Sequence, residues 1–252
     1  MDSKAQLPIY RTSCILALSS TDIWITAGDQ ITRWNGSSQE ETMCLPVSFS
    51  VNKLWGSSSD SVYAVGNGGN ILYYTGGVWQ QLQSGTTVDI LDIWGGFNST
   101  TGNEEIICVG SNLDTGEGPK VLSITGSSVS SLSTKGLPWD ITGVWFVPGK
   151  QYYLVGGGVF QKTTLTDSVW IATSDAVHFE VGGIRGNNVN DVFTAASFGE
   201  VTHYNGSSWH NYSDQLPMLD GGLGRVAIKG NLVIAVGLAA QQAVALIGKR
   251  IE

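Results

Sequence analysis

Basic residues are scarce in this chain: 13 Lys and Arg face 21 Asp and Glu in 252 residues, a formal charge of −8. No basic run supplies the electrostatic footprint that nucleic acid or an anionic membrane surface requires, which excludes nucleic acid as an expected partner. Long apolar runs are lacking as well. The longest, residues 232–240, is half the ~18 residues a membrane helix needs and contains Gly237, so no membrane insertion is expected. Cysteine is rare and odd in number, three in all, which argues against a disulfide framework. Met1, Asp2, Ser3 and Lys4 are too polar to open a signal peptide.

What the chain has is a repeat. Residues 51–89 alternate apolar and polar positions in short runs, each closed by Gly, Ser, Asp or Asn residues suited to tight turns. The pattern predicts four strands, a to d, at 51–56, 61–66, 70–75 and 78–84, with turns at 57–60, 67–69 and 76–77. A Trp closes strand a, and its slot reads Ala17, Trp55, Trp94, Trp145, Arg185 and, within one residue, Arg225. A second marker opens strand d as Trp79, Trp170 and Trp209, with Gln39 and Val129 in the same slot. Strand b recurs six times, as DIWITAG, SVYAVG, EIICVG, YYLVG, DVFTAA and LVIAVG. Cys14 and Cys44 fall on strands a and d of one unit, about three spacings of ~4.8 Å apart and beyond the ~7 Å reach of a bridge, so buried free thiols are expected.

Four-stranded units of ~40 residues repeated radially specify an all-β fold, a six-bladed β-propeller in one domain. The blades are expected at about 11–48, 49–87, 88–138, 139–178, 179–219, and 220–252 plus 1–10. Residues 5–10, AQLPIY, are like 214–219, DQLPML, and are expected to supply the fourth strand of the last blade and close the circle.

The string LWGSSSDSVYAVGNGGNILYYTGGVW, residues 54–79, resembles the repeat of bacterial exported β-propeller proteins of the sialidase-like and photosystem-assembly-factor-like kind. The resemblance covers about the whole chain and is specific to fold. It implies a periplasmic, cell-surface lipoprotein or secreted location, in families that include binders, scaffolds and enzymes. A weaker similarity links the repeat to tectonin-type lectin propellers. Residues 173–179 only hint at the sialidase-type Asp box, lacking its Gly, and no arginine triad matches, so sialidase activity is not implied.

A propeller gathers its b–c and d–a loops on one face around the channel, and loops on a rigid scaffold carry function. On that face the sequence offers a b–c loop at 111–120, with Asp114 and Glu117, and d–a loops at 41–50, 133–140 and 214–222. Trp139, Phe49, Met218 and Leu219 sit at the loop tips, and the first three, with Asp114 and Glu117, are the candidate ligand-binding residues. Five residues before the strand a marker stand Thr12, Ser50, Asp89, Asp140, Glu180 and Asp220. The four acids either ring the channel mouth and hold a cation such as Ca²⁺, or each starts its strand by accepting backbone N–H bonds. His203 and His210 flank one turn and should oppose each other on a sheet face, too few alone for a metal site. The repeated Trp residues are expected to pack between blades.

No nucleophile–base pair can be assembled from the sequence. The expected function is therefore a non-catalytic binding or scaffold domain of an exported bacterial protein, a monomer that presents its long-loop face to a protein or carbohydrate. The alternatives are a calcium-dependent hydrolase of the lactonase or phosphotriesterase kind, and a lectin.

Overall fold

The computed structural model describes residues 12–112, 116–173 and 177–250. Its strands form six antiparallel sheets taken in chain order. Blade 1 is β1 (Thr12–Ser19), β2 (Asp22–Ala27), β3 (Gln30–Trp34) and β4 (Gln39–Met43). Blade 2 is β5 (Val51–Ser58), β6 (Ser61–Gly66), β7 (Ile71–Thr75) and β8 (Val78–Leu82). Blade 3 is β9 (Ile90–Asn98), β10 (Asn103–Asn112), β11 (Glu117–Thr125) and β12 (Ser128–Ser131). Blade 4 is β13 (Ile141–Val147), β14 (Gln151–Gly156), β15 (Gly158–Lys162) and β16 (Ile171–Ala172). Blade 5 is β17 (Val181–Asn188), β18 (Asp191–Ala196), β19 (Val201–Tyr204) and β20 (Trp209–Asn211). Blade 6 shows β21 (Gly221–Lys229), β22 (Leu232–Ala239) and β23 (Gln242–Lys249). The chain is thus an all-β, six-bladed β-propeller.

Each inner strand carries a bulge near its start, and pairing across it fixes the register of the repeat. Trp55 pairs with Tyr63, Trp94 with Ile107, Trp145 with Tyr153 and Arg185 with Phe193, as the sequence markers require. At the two ends the register corrects the sequence reading. Leu16 opposite Trp24 holds the marker slot in blade 1 rather than Ala17, and Ala227 opposite Ile234 holds it in blade 6 rather than Arg225. Without a Trp at either end, the sequence had no anchor to fix the slot to one residue.

The core is the series of inter-blade layers. β1 packs on β5, β5 on β9, β9 on β13, β13 on β17 and β17 on β21. Trp55 lies across the next inner strand at Gly95, where an added Cβ would stand 2.6 Å from its ring, and Trp145 does the same at Gly186, at 2.7 Å. Trp94 donates its indole N–H to the Phe146 carbonyl at 3.1 Å. The bulge residues reinforce these layers. The hydroxyls of Ser13 and Thr142 and the amide of Asn52 donate to the carbonyls of Val51, Val181 and Ile90 in the following blades. Blade 3 has Leu91 at this position, and there the Ser111 hydroxyl donates to the Ile141 carbonyl instead, at 3.1 Å.

Such packing does not recur between β21 and β1, and Ile15 on β1 and Val236, Leu238 and Ile247 on blade 6 are exposed. The expected closure by residues 5–10 lies outside the described residues. Cys14 and Cys108 are buried free thiols as expected, but Cys44 is exposed, because it lies just past the end of β4.

Candidate functional site on the long-loop face and in the channel

Hydrogen bonds from backbone N–H groups to aspartate carboxylates show which loops share a face. Gly68 in a b–c turn donates to Asp89 in a d–a loop at 2.7 Å, while on the other face Gly76 donates to Asp60 at 2.8 Å. On the long-loop face Trp139 and Met218 reach solvent, at 64% and 76% exposure. Phe49 does not. At 8% exposure it is core, lying against Gly66, where an added Cβ would stand 2.7 Å from its ring. Its place next to the first bulge turns the ring under blade 2, a direction that loop composition does not reveal.

The b–c loop expected at 111–120 is mostly strand, since β10 runs to Asn112 and β11 begins at Glu117. Asp114 lies outside the described residues. Glu117 is exposed and lines a polar cleft between blades 2 and 3 with Lys120, Gly68 and Ser84.

Two further aromatic residues join this face, and composition gave no sign of either. Phe179, in the d–a loop before β17, and Phe198, in the b–c turn of blade 5, meet edge to face at 4.7 Å and are 38% and 42% exposed. Phe198 has φ +60°, a left-handed conformation uncommon for a bulky residue. Its backbone is pinned by its N–H on the Gly221 carbonyl at 2.7 Å and its carbonyl on the Leu219 N–H at 3.0 Å. The opposing loop is pinned by Glu200, which is 2% exposed. Its carboxylate accepts from the backbone N–H groups of His178 and Phe179, at 3.0 and 3.1 Å, and lies 2.9 Å from His178 Nδ1. A buried carboxylate so bonded fixes a loop firmly. Replacing Glu200 with alanine is therefore expected to release the 177–180 loop and cost about 1–3 kcal/mol, read as a lower melting temperature with faster amide exchange at His178 and Phe179.

The four acids expected at the channel mouth are not gathered. Among the described residues no group of three or more His, Cys, Asp or Glu side chains is placed to hold a metal ion. Asp89 accepts the Gly68 N–H, the Asp140 carboxylate lies over Gly157, and Glu180 and Asp220 are exposed. The register further puts Gly222, not Asp220, in the slot of Ser50: Gly237 approaches the Gly222 carbonyl as Gly66 approaches that of Ser50. His203 and His210 do oppose each other, but His203 pairs with Asp191 at 2.9 Å and stacks on Phe193, while His210 lies against Tyr212.

Deeper in the channel lies a polar group that the sequence did not indicate. Two residues before the marker, the inner strands carry Cys14, Lys53, Asp92, Gly143, Gly183 and Arg225. Arg185 spans from blade 5 to blade 3 and engages Asp92 in a two-point bond, 2.8 and 3.0 Å, above Trp94. Burial alone would raise the Asp92 pKa, but the charge and hydrogen bonds of Arg185 outweigh it and hold the carboxyl below its ordinary value. Asp92 also accepts the Val144 N–H at 3.0 Å. Lys53 has its pKa lowered, first by burial and then by Arg185, and the one carboxylate acting on it, Asp92, is already engaged.

A lowered lysine pKa means that the unfolded chain binds more protons between the folded value and 10.5, so stability rises with pH in that window. Lys53→Met is accordingly expected to raise the melting temperature at pH 7 by about 2–4 °C, as ~1 kcal/mol does in a chain of this size, and to remove the gain toward alkaline pH. Melting curves at pH 7 and pH 10 check both.

No protein-family model matches the chain, and no curated protein matches it. Solved structures do match in fold. YCF48 bound to D1 peptide is 13% identical with a TM-score of 0.65, over 92% of this chain and 75% of that one. YCF48 from Cyanidioschyzon merolae is 13% identical with a TM-score of 0.67, over 95% and 83%. The extracellular domain of the putative hybrid two component system BT4673 from B. thetaiotaomicron is 15% identical with a TM-score of 0.70, over 95% of this chain but 32% of that one. These likenesses agree with the photosystem-assembly-factor-like resemblance of the repeat at the level of the propeller fold.

Proposed function

We propose that this protein is a non-catalytic binding propeller that takes an apolar segment of a partner protein on the long-loop face of blades 4 to 6. The observation that carries this reading is the arc of Trp139, Phe179, Phe198 and Met218, four large apolar side chains exposed on one rim. Exposed apolar side chains gathered on a rigid rim mark interaction sites. Phe198 adds weight, because a left-handed phenylalanine held by its neighbours spends stability on presenting a ring. The propeller YCF48, solved with a D1 peptide, and the extracellular BT4673 domain support a protein ligand and an exported location.

The test is selection of peptides from a random displayed library on the wild-type chain, followed by affinity measurement on variants. Phe198→Gly relieves the left-handed strain, so its melting temperature is expected to stay within about 2 °C of wild type. Selected peptides are expected to lose about tenfold or more in affinity on Phe198→Gly combined with Phe179→Ser. Unchanged affinity would overturn the reading, as would a glycan-array signal lost on Trp139→Ala.

A further inference from the structure

The channel gathers more positive charge than it neutralises. Lys53, Asp92 and Arg225 stand at one level of the inner strands, on blades 2, 3 and 6, and Arg185 of blade 5 reaches into that level to meet Asp92. Three of the 13 basic residues in a chain of formal charge −8 are thus placed together. Cys14, Gly143 and Gly183 complete the level, so Asp92 is its one carboxylate. That carboxylate is fully engaged. Oδ1 accepts from Arg185, and Oδ2 accepts from Arg185 and from the Val144 N–H, both at 3.0 Å. It lies toward blade 4, where a Cβ added at Gly143 would stand 3.5 Å from Oδ2. A two-point carboxylate–guanidinium bond matches the charge of Asp92 with that of Arg185 and leaves two cations over.

Those two have no partner charge. Among the described residues the Lys53 ammonium takes part in no hydrogen bond and no ion pair. Its charge is felt by Cys14, Asp92, Arg185 and Arg225, which belong to four other blades, a set that only a position inside the channel brings together. Arg225 donates from Nη1 alone, to the Gly182 and Gly224 carbonyls at 3.2 and 2.8 Å, and among the described residues its Nη2 and Nε donate to nothing. Arg225 is exposed, so solvent and small solutes reach this level. Two like charges held on a rigid wall repel each other, and burial of Lys53 removes much of the water that would screen it. Asp92 does not oppose an incoming anion, because Arg185 already balances it.

We infer that the channel binds a small doubly charged oxyanion, held between the Lys53 ammonium and the free edge of the Arg225 guanidinium. Phosphate and short dicarboxylates share this chemistry. The ammonium meets one oxygen as a point charge, while the guanidinium offers a planar fork to two. The site is separate from the aromatic rim of the long-loop face and does not depend on it.

The probes are inorganic phosphate and malonate, each added to the full chain in a phosphate-free buffer, with sodium chloride holding the ionic strength constant. At about 20 mM one or both are expected to raise the melting temperature by about 4–8 °C over the chloride control, saturably, with titration calorimetry giving the affinity. Tighter binding of phosphate assigns a phosphoryl ligand, and tighter binding of malonate a dicarboxylate. Lys53→Met, which without anion melts no lower than wild type because it removes an unmatched charge, is expected to bind at least about tenfold more weakly and to lose more than half of the thermal gain. Arg225→Gln is expected to weaken binding by a similar factor. Lys135→Met, which removes an exposed positive charge outside the channel, and Phe198→Gly on the rim are expected to leave binding unchanged. No thermal gain from either probe overturns the inference. So does an equal gain in wild type and Lys53→Met, which would mark an adventitious ion only.

Discussion

Replacing Asp92 with alanine is expected to destabilise the protein by about 3–5 kcal/mol, a large part of the ~5–15 kcal/mol that holds a typical domain together. The cost arises from what is left behind. Arg185 is buried, is bonded to both oxygens of Asp92, and among the described residues its other hydrogen bonds go to the Val144 and Ile184 carbonyls. Removing the carboxylate strands a guanidinium in the channel beside Lys53 and leaves the Val144 N–H without its acceptor. The double variant Asp92→Ala with Arg185→Met is expected to recover most of the loss, because it removes the buried charge with its partner; a denaturant double-mutant cycle measures this. The pH dependence follows from the lowered Asp92 pKa. The pair's contribution is complete above the unfolded value of 3.8 and is lost as pH falls through the folded one, so wild type should lose stability in acid that the double variant does not. A single variant as stable as wild type would show that the pair holds nothing together.

Replacing Trp145 with alanine is expected to cost a further-reaching ~3–5 kcal/mol, because it opens the layer between blades 4 and 5 from within. Trp145 is 2% exposed, stacks near Tyr153 at 6.1 Å and lies over Gly186. Trp145→Phe should be much milder, about 1–2 kcal/mol, since the indole N–H has no hydrogen-bond partner among the described residues and its loss is no penalty. Gly186→Val should approach the cost of the alanine variant from the opposite side, as its first carbon alone would stand 2.7 Å from the Trp145 ring. Combining Gly186→Val with Trp145→Leu should cost less than the sum, and urea unfolding of the three variants would show whether the residues act as a pair.

The architecture was legible because a repeat copies its local physics. Alternation, turn residues and the Trp marker recur at nearly constant spacing, and residues that recur this way occupy equivalent places. Trp55 and Trp145 are buried inter-blade residues for that reason. The candidate site was legible only where exposure follows from loop composition, as for Trp139 and Met218. Phe49 looked the same in sequence and is buried, while Phe179 and Phe198 had no distinguishing pattern and are exposed as an edge-to-face pair. One signal was available but unread: each inter-blade Trp at 55 and 145 is answered about 40 residues later by a Gly, at 95 and 186, which a strand would otherwise avoid.

By itself the sequence determined the all-β class, the six repeats, the two loop faces and the packing role of the tryptophans, because these rest on short-range alternation and on spacing. Only the tertiary structure decided which side chains meet across blades. Arg185 and Asp92 are 93 positions apart, and Phe193, Leu216 and Gly248 converge on one cavity from different strands and blades. Periodicity places a residue on a strand and a face. It carries no record of how far a long side chain reaches over its neighbour.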